Sequence, residues 1–463
     1  MFYSRRQLLH AATCGFGSLA LMDLQNRSSA NSPAEPTNPL SLKQPHHEPA
    51  ADHFIFLHMR GGPSAMESYE RKPELDKQAK KQSGEKKKGR KLTPSHWKWK
   101  KRGQSGLWVS DLFKHTAELA DELCVLSGMH ADIGNHTPAM LQLHTGSFTF
   151  TRPSMGSWLL YGLGTENQNL PGFVSISPPV INGGSKNYGS AFLPAVYQGT
   201  AIGDIKTPVA DAKVGNLANP KLSRTQQRRQ LDLLQRLNQD YAEHINDPSE
   251  PGVDAVMDSF ELGFRMQSEL PSVMDISGET QETLDLYGIG DGKPSDDFGR
   301  QCLLARRMIE SGVRHVECCD EFWDQHSALV KGHEARAAAT DQPVAGLLTD
   351  LRRRGLLDRT LVLWGGEFGR TPDTAKDDLD GRDHNPNGYT MWLAGGGVRP
   401  GFQHGATDEL GYKAVEGRVH LHDLHATVLH QMGLDHKQLT YRYAGRDFRL
   451  TDVHGRVVDE ILT

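Results

Sequence analysis

The feature that most constrains the fold is a regular alternation of helical and extended patterns in the C-terminal part of the chain. Residues 298–311 are helical in pattern, end at Gly312, and are followed by the apolar run 313–318, which is typical of a buried strand. Further strands are predicted at 360–364 and 389–394. Alternating helices and strands give a mostly parallel central sheet, so we predict an α/β fold with helices on both faces.

Two other patterns extend this domain towards the N-terminus. Residues 53–59 form a short apolar run that ends at glycines, which predicts a buried first strand. Residues 220–297 carry apolar side chains at helical spacing, such as Leu234 and Leu237, and predict a helical insertion packed on one side of the sheet. We therefore predict one large α/β domain over residues 52–463.

The N-terminus has the order of charged, apolar and small residues that is typical of an export signal. Arg5 and Arg6 form a twin-arginine pattern, and the apolar stretch behind them is too short for a stable membrane span. We predict a twin-arginine signal peptide over residues 1–30, a Pro- and Ser-rich linker over 31–51, and a periplasmic or secreted mature chain without a transmembrane span. An amphipathic N-terminal helix is the alternative.

A strongly basic segment interrupts an otherwise acidic chain. Residues 77–102 contain 12 Lys or Arg and one acidic residue, a net charge of +11, whereas the formal net charge of the whole chain is −5. We predict an exposed basic insertion over 77–95, and a patch that binds acidic polysaccharide is the alternative. No nucleic-acid-binding motif accompanies the segment, which excludes nucleic acid as a partner. The oligomeric state stays unknown.

Histidines and carboxylates cluster just after the predicted strands and at the start of the last helix. The carboxyl ends of parallel strands meet at one rim of a sheet, so these side chains are expected to lie close together. Carboxylates and imidazoles together bind divalent metals such as zinc, manganese, calcium or iron. Salt bridges and helix caps are the structural alternative. The candidate metal ligands are Asp324, His326, Glu367, Asp383, His384 and His422.

The stretch that begins at Asn135 is a candidate for anion binding and nucleophilic chemistry. His136 and Thr137 precede a predicted helix, whose N-terminus favours anions and where a hydroxyl can act as a nucleophile. A plain helix N-cap is the alternative. Arg60 and Arg370 follow predicted strands and are candidates to clamp a tetraoxyanion through forked hydrogen bonds.

Several long motifs resemble one family. The stretches RGGPSAMESYERKP, NHTPAMLQLHTG, GLLDRTLVLWGGEFGRTP, GRDHNPNGYT and LHDLHATVLHQMGL are similar to those of the secreted bacterial proteins called domain of unknown function 1501. The resemblance covers nearly the whole mature chain. It implies a sulfatase-like protein with the fold of the alkaline phosphatase superfamily, in which paired metals hold a phosphate or sulfate ester.

The chain departs from the superfamily pattern at the nucleophile and at the end of the first strand, among other positions. His136, with Thr137 beside it, falls closest to the place of the usual modified Cys or Ser nucleophile. The first strand usually ends in a metal-binding Asp, whereas this one ends in Met59 and Arg60, with Glu67 as the nearest carboxylate. His422 resembles the C-terminal metal-binding histidine of the superfamily.

Together these observations predict an exported metal-dependent hydrolase-like protein that acts on sulfate or phosphate esters, carried by small molecules or polysaccharides. Thr137 is the candidate nucleophile, and His136 is a ligand or a base. The alternative is a non-catalytic protein on the same fold that binds anions or polysaccharide.

Overall fold

The computed structural model describes residues 38–82, 90–215, 217, 221–245, 252–374 and 380–463. The predicted twin-arginine signal and the first part of the predicted linker lie outside the described residues. Residues 40–463 form one compact unit. Among the helices described, none combines the length and the apolar character needed to cross a membrane.

The secondary structure alternates as the sequence predicts. The strands are β1 (His53–Met59), β2 (Trp99–Arg102), β3 (Leu107–Ser110), β4 (Leu123–His130), β5 (Phe173–Ile176), β6 (Thr200–Ile202), β7 (His315–Asp320), β8 (Thr360–Gly365), β9 (Gly369–Thr374), β10 (Arg382–Asn385), β11 (Tyr389–Ala394), β12 (Phe402–His404), β13 (Ala406–Thr407), β14 (Ala414–Glu416), β15 (Val419–His420), β16 (Tyr441–Tyr443) and β17 (Arg446–Phe448). The helices are α1 (Pro73–Gln82), α2 (His136–Thr145), α3 (Met155–Leu163), α4 (Arg224–Ile245), α5 (Gly252–Met274), α6 (Gln281–Leu286), α7 (Asp296–Glu310), α8 (Leu329–Arg353) and α9 (Leu421–Gln431).

A large central sheet carries the site. Its strands follow the order β12-β4-β11-β8-β1-β7-β5-β6, with β15 paired to β4. All neighbouring pairs are parallel except those of β11, which runs antiparallel to β4 and β8. The central strands β1, β7 and β8 are buried almost throughout, as expected for strands covered on both faces. The predicted mostly parallel α/β fold with helices on both faces is confirmed.

Part of the predicted linker is packed against the domain. Leu40 and Ala51 are buried, and the Ala51 N–H donates to the carbonyl oxygen of Gln431 at 2.9 Å. Residues 40–51 are therefore part of the domain rather than linker. The composition of this stretch is typical of linkers, but its few apolar side chains lose water-exposed surface by packing, which holds the backbone in place.

The predicted basic insertion is also anchored at its C-terminal end. Residues 83–89 lie outside the described part. Beyond them, the Thr374 N–H donates to the Lys91 carbonyl oxygen at 2.8 Å, which ties this segment to the end of β9. Arg90 Nη2 lies 2.5 Å from Asp383 Oδ2. The segment therefore reaches one of the candidate ligands, which its charge pattern alone does not indicate.

The range predicted as a helical insertion, 220–297, contains α4, α5 and α6. Met257, Leu262 and Met266 of α5 are buried. Leu237 of α4, which belongs to the predicted apolar face, is exposed. The helical spacing is therefore real, but on the apolar face of α4 Leu231 and Leu234 are only half-buried.

Candidate metal centre

The candidate site forms where parallel strands end beside the start of α2. Met59 of β1 lies opposite Asp320 of β7, so the two strands end at the same level. The loops that follow them meet at this rim, as is usual for parallel sheets. Gly61, at φ 115°, is needed here, since a Cβ at this position would lie 2.6 Å from the backbone nitrogen of Asp324.

Asp324 lies at the centre of a group of imidazoles. Its Oδ2 lies 3.0 Å from His136 Nε2, and its Oδ1 lies 3.1 Å from the Nε2 atoms of both His326 and His384. These last two nitrogens are 3.0 Å apart. Asp383 Oδ1 lies 3.8 Å from His326 Nδ1. We call His136, Asp324, His326, Asp383 and His384 the rim cluster.

The outer nitrogens of two of these imidazoles are occupied by oxygen acceptors. His384 Nδ1 lies 2.7 Å from the Gly134 carbonyl oxygen, and His136 Nδ1 lies 2.6 Å from Glu367 Oε1. Because carbonyl and carboxylate oxygens only accept, each Nδ1 carries its hydrogen. In the neutral imidazole the Nε2 lone pair then points towards Asp324. This is the arrangement that commonly orients histidine ligands of metals.

The carboxylates and imidazoles of the site stabilise one another's charged forms. Burial alone would lower the pKa of His136, but Asp324 and Glu367 outweigh it and raise that pKa to about 9. Burial would raise the pKa of Asp324, yet the neighbouring imidazoles of His136 and His384 and the charge of Arg370 hold that pKa far below its usual range. Burial opposes ionisation of Glu367 too, but its contact with His136 lowers that pKa. The site therefore favours positive charge between its carboxylates, whether protons or a cation.

The rim cluster fits a divalent cation. Two overlapping sets of donors converge closely enough to hold one, and His384 belongs to both. His136 Nε2 is buried and has no hydrogen-bond partner among the described residues, although Asp324 Oδ2 is only 3.0 Å away. A nitrogen and an oxygen this close, with no hydrogen bond between them, can both serve as ligands of one ion. Imidazole donors suit zinc, manganese or iron better than calcium, which prefers oxygen ligands. The two candidate donor sets are His136, Asp324 and His384, and His326, Asp383 and His384.

Comparison with protein families identifies the chain. A family model described as "Protein of unknown function (DUF1501)" matches residues 51–462. The protein belongs to this family. The resemblance carried by its motifs is thus confirmed over residues 51–462. A search of curated proteins finds no match to this sequence.

Solved structures similar to this DUF1501 protein include hydrolases. Ps i-CgsB in complex with k-i-k-neocarrahexaose shares 10% identity over 83% of this chain and 72% of that one, with a TM-score of 0.38. The PsFucS1 sulfatase from Pseudoalteromonas sp. shares 12% identity over 90% and 71%, at 0.36. The alkaline phosphatase from the Antarctic bacterium TAB5 shares 10% over 84% and 99%, at 0.32. At such scores, function has to be argued from the residues of the DUF1501 protein itself.

Four of the six candidate ligands lie together in this DUF1501 protein, and two lie elsewhere. His422 Nε2 lies 2.8 Å from the carbonyl oxygen of Gly146, just past the end of α2, whereas His136 is the first residue of that helix. A helix of this length spans about 15 Å, so His422 is far from the rim cluster.

Glu367 lies behind His136, on its outer nitrogen, and also accepts from the Gly61 N–H at 3.0 Å. Glu367 is therefore placed to orient His136.

Both candidate anion-clamping arginines are engaged within the protein. Arg370 is buried, and its Nε donates to the Gly62 carbonyl oxygen at 3.0 Å while its Nη2 donates to Asp324 Oδ1 at 2.5 Å. Arg60 Nη1 donates to Glu321 Oε1 at 2.6 Å. The guanidinium of Arg370 thus holds the loop after β1 and the central carboxylate of the DUF1501 site, which leaves it little capacity for a ligand.

Two further predicted residues take other places. Thr137 is exposed, and its hydroxyl donates to Asn182 Oδ1 at 3.0 Å. Glu67 is buried away from solvent, where Arg382 Nη2 donates to its Oε1 at 2.8 Å. Glu67 is thus the partner of a buried arginine in this DUF1501 protein.

The sequence patterns did not single out three buried polar residues next to the site. His58 lies in the apolar run of β1, Glu317 lies in that of β7, and His144 lies on α2 two turns after His136. The signal in the sequence that could have revealed them is a charged or imidazole side chain inside an otherwise apolar strand. Such a residue requires a partner, which only the tertiary structure identifies.

Proposed function

We propose that this protein is an exported metal-dependent hydrolase-like protein that acts on sulfate or phosphate esters. The observation that carries the proposal is the rim cluster, in which imidazole lone pairs and a carboxylate converge while the outer imidazole nitrogens are held by oxygen acceptors. His136, Asp324 and His384 would hold a divalent cation, with His326 and Asp383 beside them. Bound there, the cation would polarise an ester oxygen and lower the pKa of a water molecule.

The residues around this position have separate tasks in the proposal. Glu367 and the Gly134 carbonyl orient His136 and His384, and Arg370 fixes Asp324. The N-terminus of α2 favours a negatively charged ester at the same rim. His326 is available for proton transfer, since burial, aided by Arg370, lowers its pKa and leaves the ring neutral near pH 7, and its side chain is 37% exposed.

A second candidate function is anion or polysaccharide binding without turnover. It is favoured by the engagement of Arg60 and Arg370 with protein groups, and by the contact of the Thr137 hydroxyl with Asn182. These three residues therefore offer neither an unpaired guanidinium to bind the ester anion nor a free hydroxyl to attack it at the rim cluster. In this case the protein would retain metal and anion affinity and release no product.

Metal analysis tests the shared basis of both functions. The double variant Asp383→Asn, His384→Ala should lose the rim metal while its far-UV circular dichroism stays close to that of the native protein. His422→Ala is the matched control, because that histidine lies away from the cluster and its loss should leave the metal content unchanged. Retention of the full metal content in the double variant would contradict the assignment of the rim cluster.

Turnover separates the two candidate functions. Release of aryl alcohol from aryl sulfate and aryl phosphate esters should be measured for the native protein, the double variant and Thr137→Ala. We expect native activity that falls at least about a hundredfold in the double variant, the usual effect of losing an essential catalytic group. Equal rates in native protein and Thr137→Ala would remove Thr137 as the nucleophile. No hydrolysis by metal-loaded native protein would leave the binding function.

A further inference from the structure

A second group of ligand-type side chains lies in the interior, behind the rim cluster. His58 projects from β1, Glu317 from β7 and His144 from α2, and their side chains are 0%, 2% and 5% exposed. Glu317 Oε1 lies 3.3 Å from His58 Nδ1 and 2.8 Å from His144 Nε2. These three atoms come from three separate elements and converge on one point. We call the three residues the buried cluster.

The hydrogens of the buried cluster do not balance with neutral imidazoles alone. His144 Nδ1 lies 2.8 Å from the Met140 carbonyl oxygen, which only accepts, and His144 Nε2 faces the carboxylate of Glu317. A neutral ring has one N–H and serves only one of these acceptors. The other nitrogen then directs its lone pair at an oxygen, which costs free energy in an interior without water.

His58 has the complementary problem. Its Nδ1 faces Glu317, whereas its Nε2 is buried, has no hydrogen-bond partner within the described part of the chain, and lies 3.9 Å from Glu367 Oε2. If Nε2 carries the hydrogen, it points towards the Glu367 carboxylate, and the Nδ1 lone pair points at Glu317. Both imidazoles can therefore direct a lone pair inward: His144 with its Nδ1 hydrogen on the Met140 carbonyl oxygen, and His58 at its Nδ1, which also lies 3.7 Å from Cys319 Sγ.

We propose that His58, His144 and Glu317 form a second, fully buried divalent-cation site suited to zinc. One cation at the convergence point would accept both inward lone pairs and the Glu317 carboxylate, and the outer N–H of His144 would keep the Met140 carbonyl oxygen as its acceptor. The separations of 2.8 and 3.3 Å among the donor atoms are close to the roughly 3.3 Å expected between neighbouring N or O ligands of tetrahedral zinc. Outer acceptors of this kind are the usual supports of histidine ligands.

Glu367 connects the two clusters without belonging to the buried one. Its Oε1 contacts His136 of the rim cluster, and its Oε2 faces His58. One buried carboxylate therefore lies beside a histidine of each cluster. The buried site rests on its own three residues, so it does not depend on the proposed function of the rim cluster.

The alternative occupant of the buried cluster is a proton. Doubly protonated imidazoles against Glu317 also satisfy every acceptor, and the surrounding carboxylates and thiol raise the pKa of His58 well above its usual value despite its burial. The two states differ in a measurable way, because only the cation scatters anomalously and is detected by elemental analysis.

Zinc retention in the full chain tests the proposal. Purified protein would be loaded with Zn²⁺, passed through EDTA under native conditions, and analysed for zinc before and after unfolding in urea. We expect a zinc ion that resists EDTA in the folded protein and is released on unfolding, since no donor of the buried cluster reaches solvent. The rim variant Asp383→Asn, His384→Ala should retain this ion, and His144→Gln should lose it.

Anomalous diffraction at the zinc edge gives a result that does not depend on any variant folding. A peak in the native crystal between His58 Nδ1, His144 Nε2 and Glu317 Oε1 would establish the site. Zinc only at the rim, or zinc in native protein that EDTA removes completely, would overturn it and leave a protonated ion pair. A peak at the buried cluster without one at the rim would retain this proposal while the proposed function fails.

Discussion

The rim cluster and the buried cluster are built from the same side-chain types in two environments. Each combines imidazoles with a central carboxylate, and in each at least one outer imidazole nitrogen contacts an oxygen acceptor. The central carboxylate of the rim, Asp324, is 39% exposed and is also bound by Arg370, whereas Glu317 is 2% exposed and faces imidazoles. The two clusters therefore differ in solvent access and in the added arginine, and not in the types of their ligands. An ion could exchange with solvent at the rim cluster, whereas the buried cluster is closed to solvent.

The comparison also explains why a function is assigned to one cluster and a structural ion to the other. A substrate can reach the rim at the carboxyl ends of the strands, where loops leave the donors partly open. The buried cluster has no such opening. A positive charge that neutralises the buried Glu317 carboxylate contributes to the stability of the fold, because an unpaired buried charge is costly. Tests that affect the two clusters differently are therefore the most informative.

The largest expected difference is in global stability. Glu317→Gln removes the carboxylate that lies between the buried imidazoles of His58 and His144 and should lower the free energy of unfolding by about 3–5 kcal/mol. Asp383→Asn, at a partly exposed position of the rim, should cost at most about 1 kcal/mol. Urea unfolding followed by circular dichroism measures both. Similar losses in the two variants would show that the clusters do not differ in the way their burial indicates.

A pH experiment compares Glu317 with Asp320, a second buried acid on the same strand. Burial raises the pKa of Asp320 to about 7, whereas neighbouring His144 and His58 hold the pKa of Glu317 below its usual value although burial opposes this. An acid with a raised folded pKa keeps its proton in the folded state while the unfolded state loses it, so stability falls as pH rises towards 7.

For Asp320 the predicted window lies between its ordinary value and about 7. Between pH 5 and 7 the native protein should lose about 2–3 kcal/mol relative to Asp320→Asn, at roughly 1.4 kcal/mol for each pH unit. Urea unfolding of both proteins across this range measures the difference. Parallel stability curves would mean that Asp320 is ionised in the folded protein, as Glu317 is.

The smallest effect is expected at the edge of the rim. Arg90 Nη2 lies 2.5 Å from Asp383 Oδ2, and the Arg90 side chain is 47% exposed. Arg90→Ala should change the free energy of unfolding by less than about 1 kcal/mol, as is usual for exposed pairs. It should also strengthen Zn²⁺ binding at the rim a few-fold, because it frees Asp383 and removes a positive charge.

Lys77→Ala is the matched control for this change, since Lys77 pairs with Glu74 on α1 in an exposed position. Calorimetric titration with Zn²⁺ compares the two variants with native protein. The EDTA-resistant zinc should be the same in all three. Weaker zinc binding in Arg90→Ala would show that the arginine supports the rim cluster instead of competing with the metal.

The sequence by itself determined the class of fold and the region of the site. The predicted strands at 53–59, 360–364 and 389–394 coincide with β1, β8 and β11 within a residue, because a strand buried on both faces leaves an uninterrupted apolar run. The rule that loops after parallel strands share one rim was enough to group Asp324, His326, Asp383 and His384. Their role as metal ligands stays a prediction.

The tertiary structure alone decided the partners of each side chain. His422 is one of many histidines in the chain, and only the path of α2 places it at the far end of the helix that His136 begins. Arg370 could have bound a ligand, but the loop after β1 and Asp324 surround its guanidinium. The buried cluster joins residues of β1, α2 and β7 that no local pattern relates. Local periodicity reports which residues avoid water, whereas hydrogen bonds and charges depend on distances between segments far apart in the chain, and packing sets those distances.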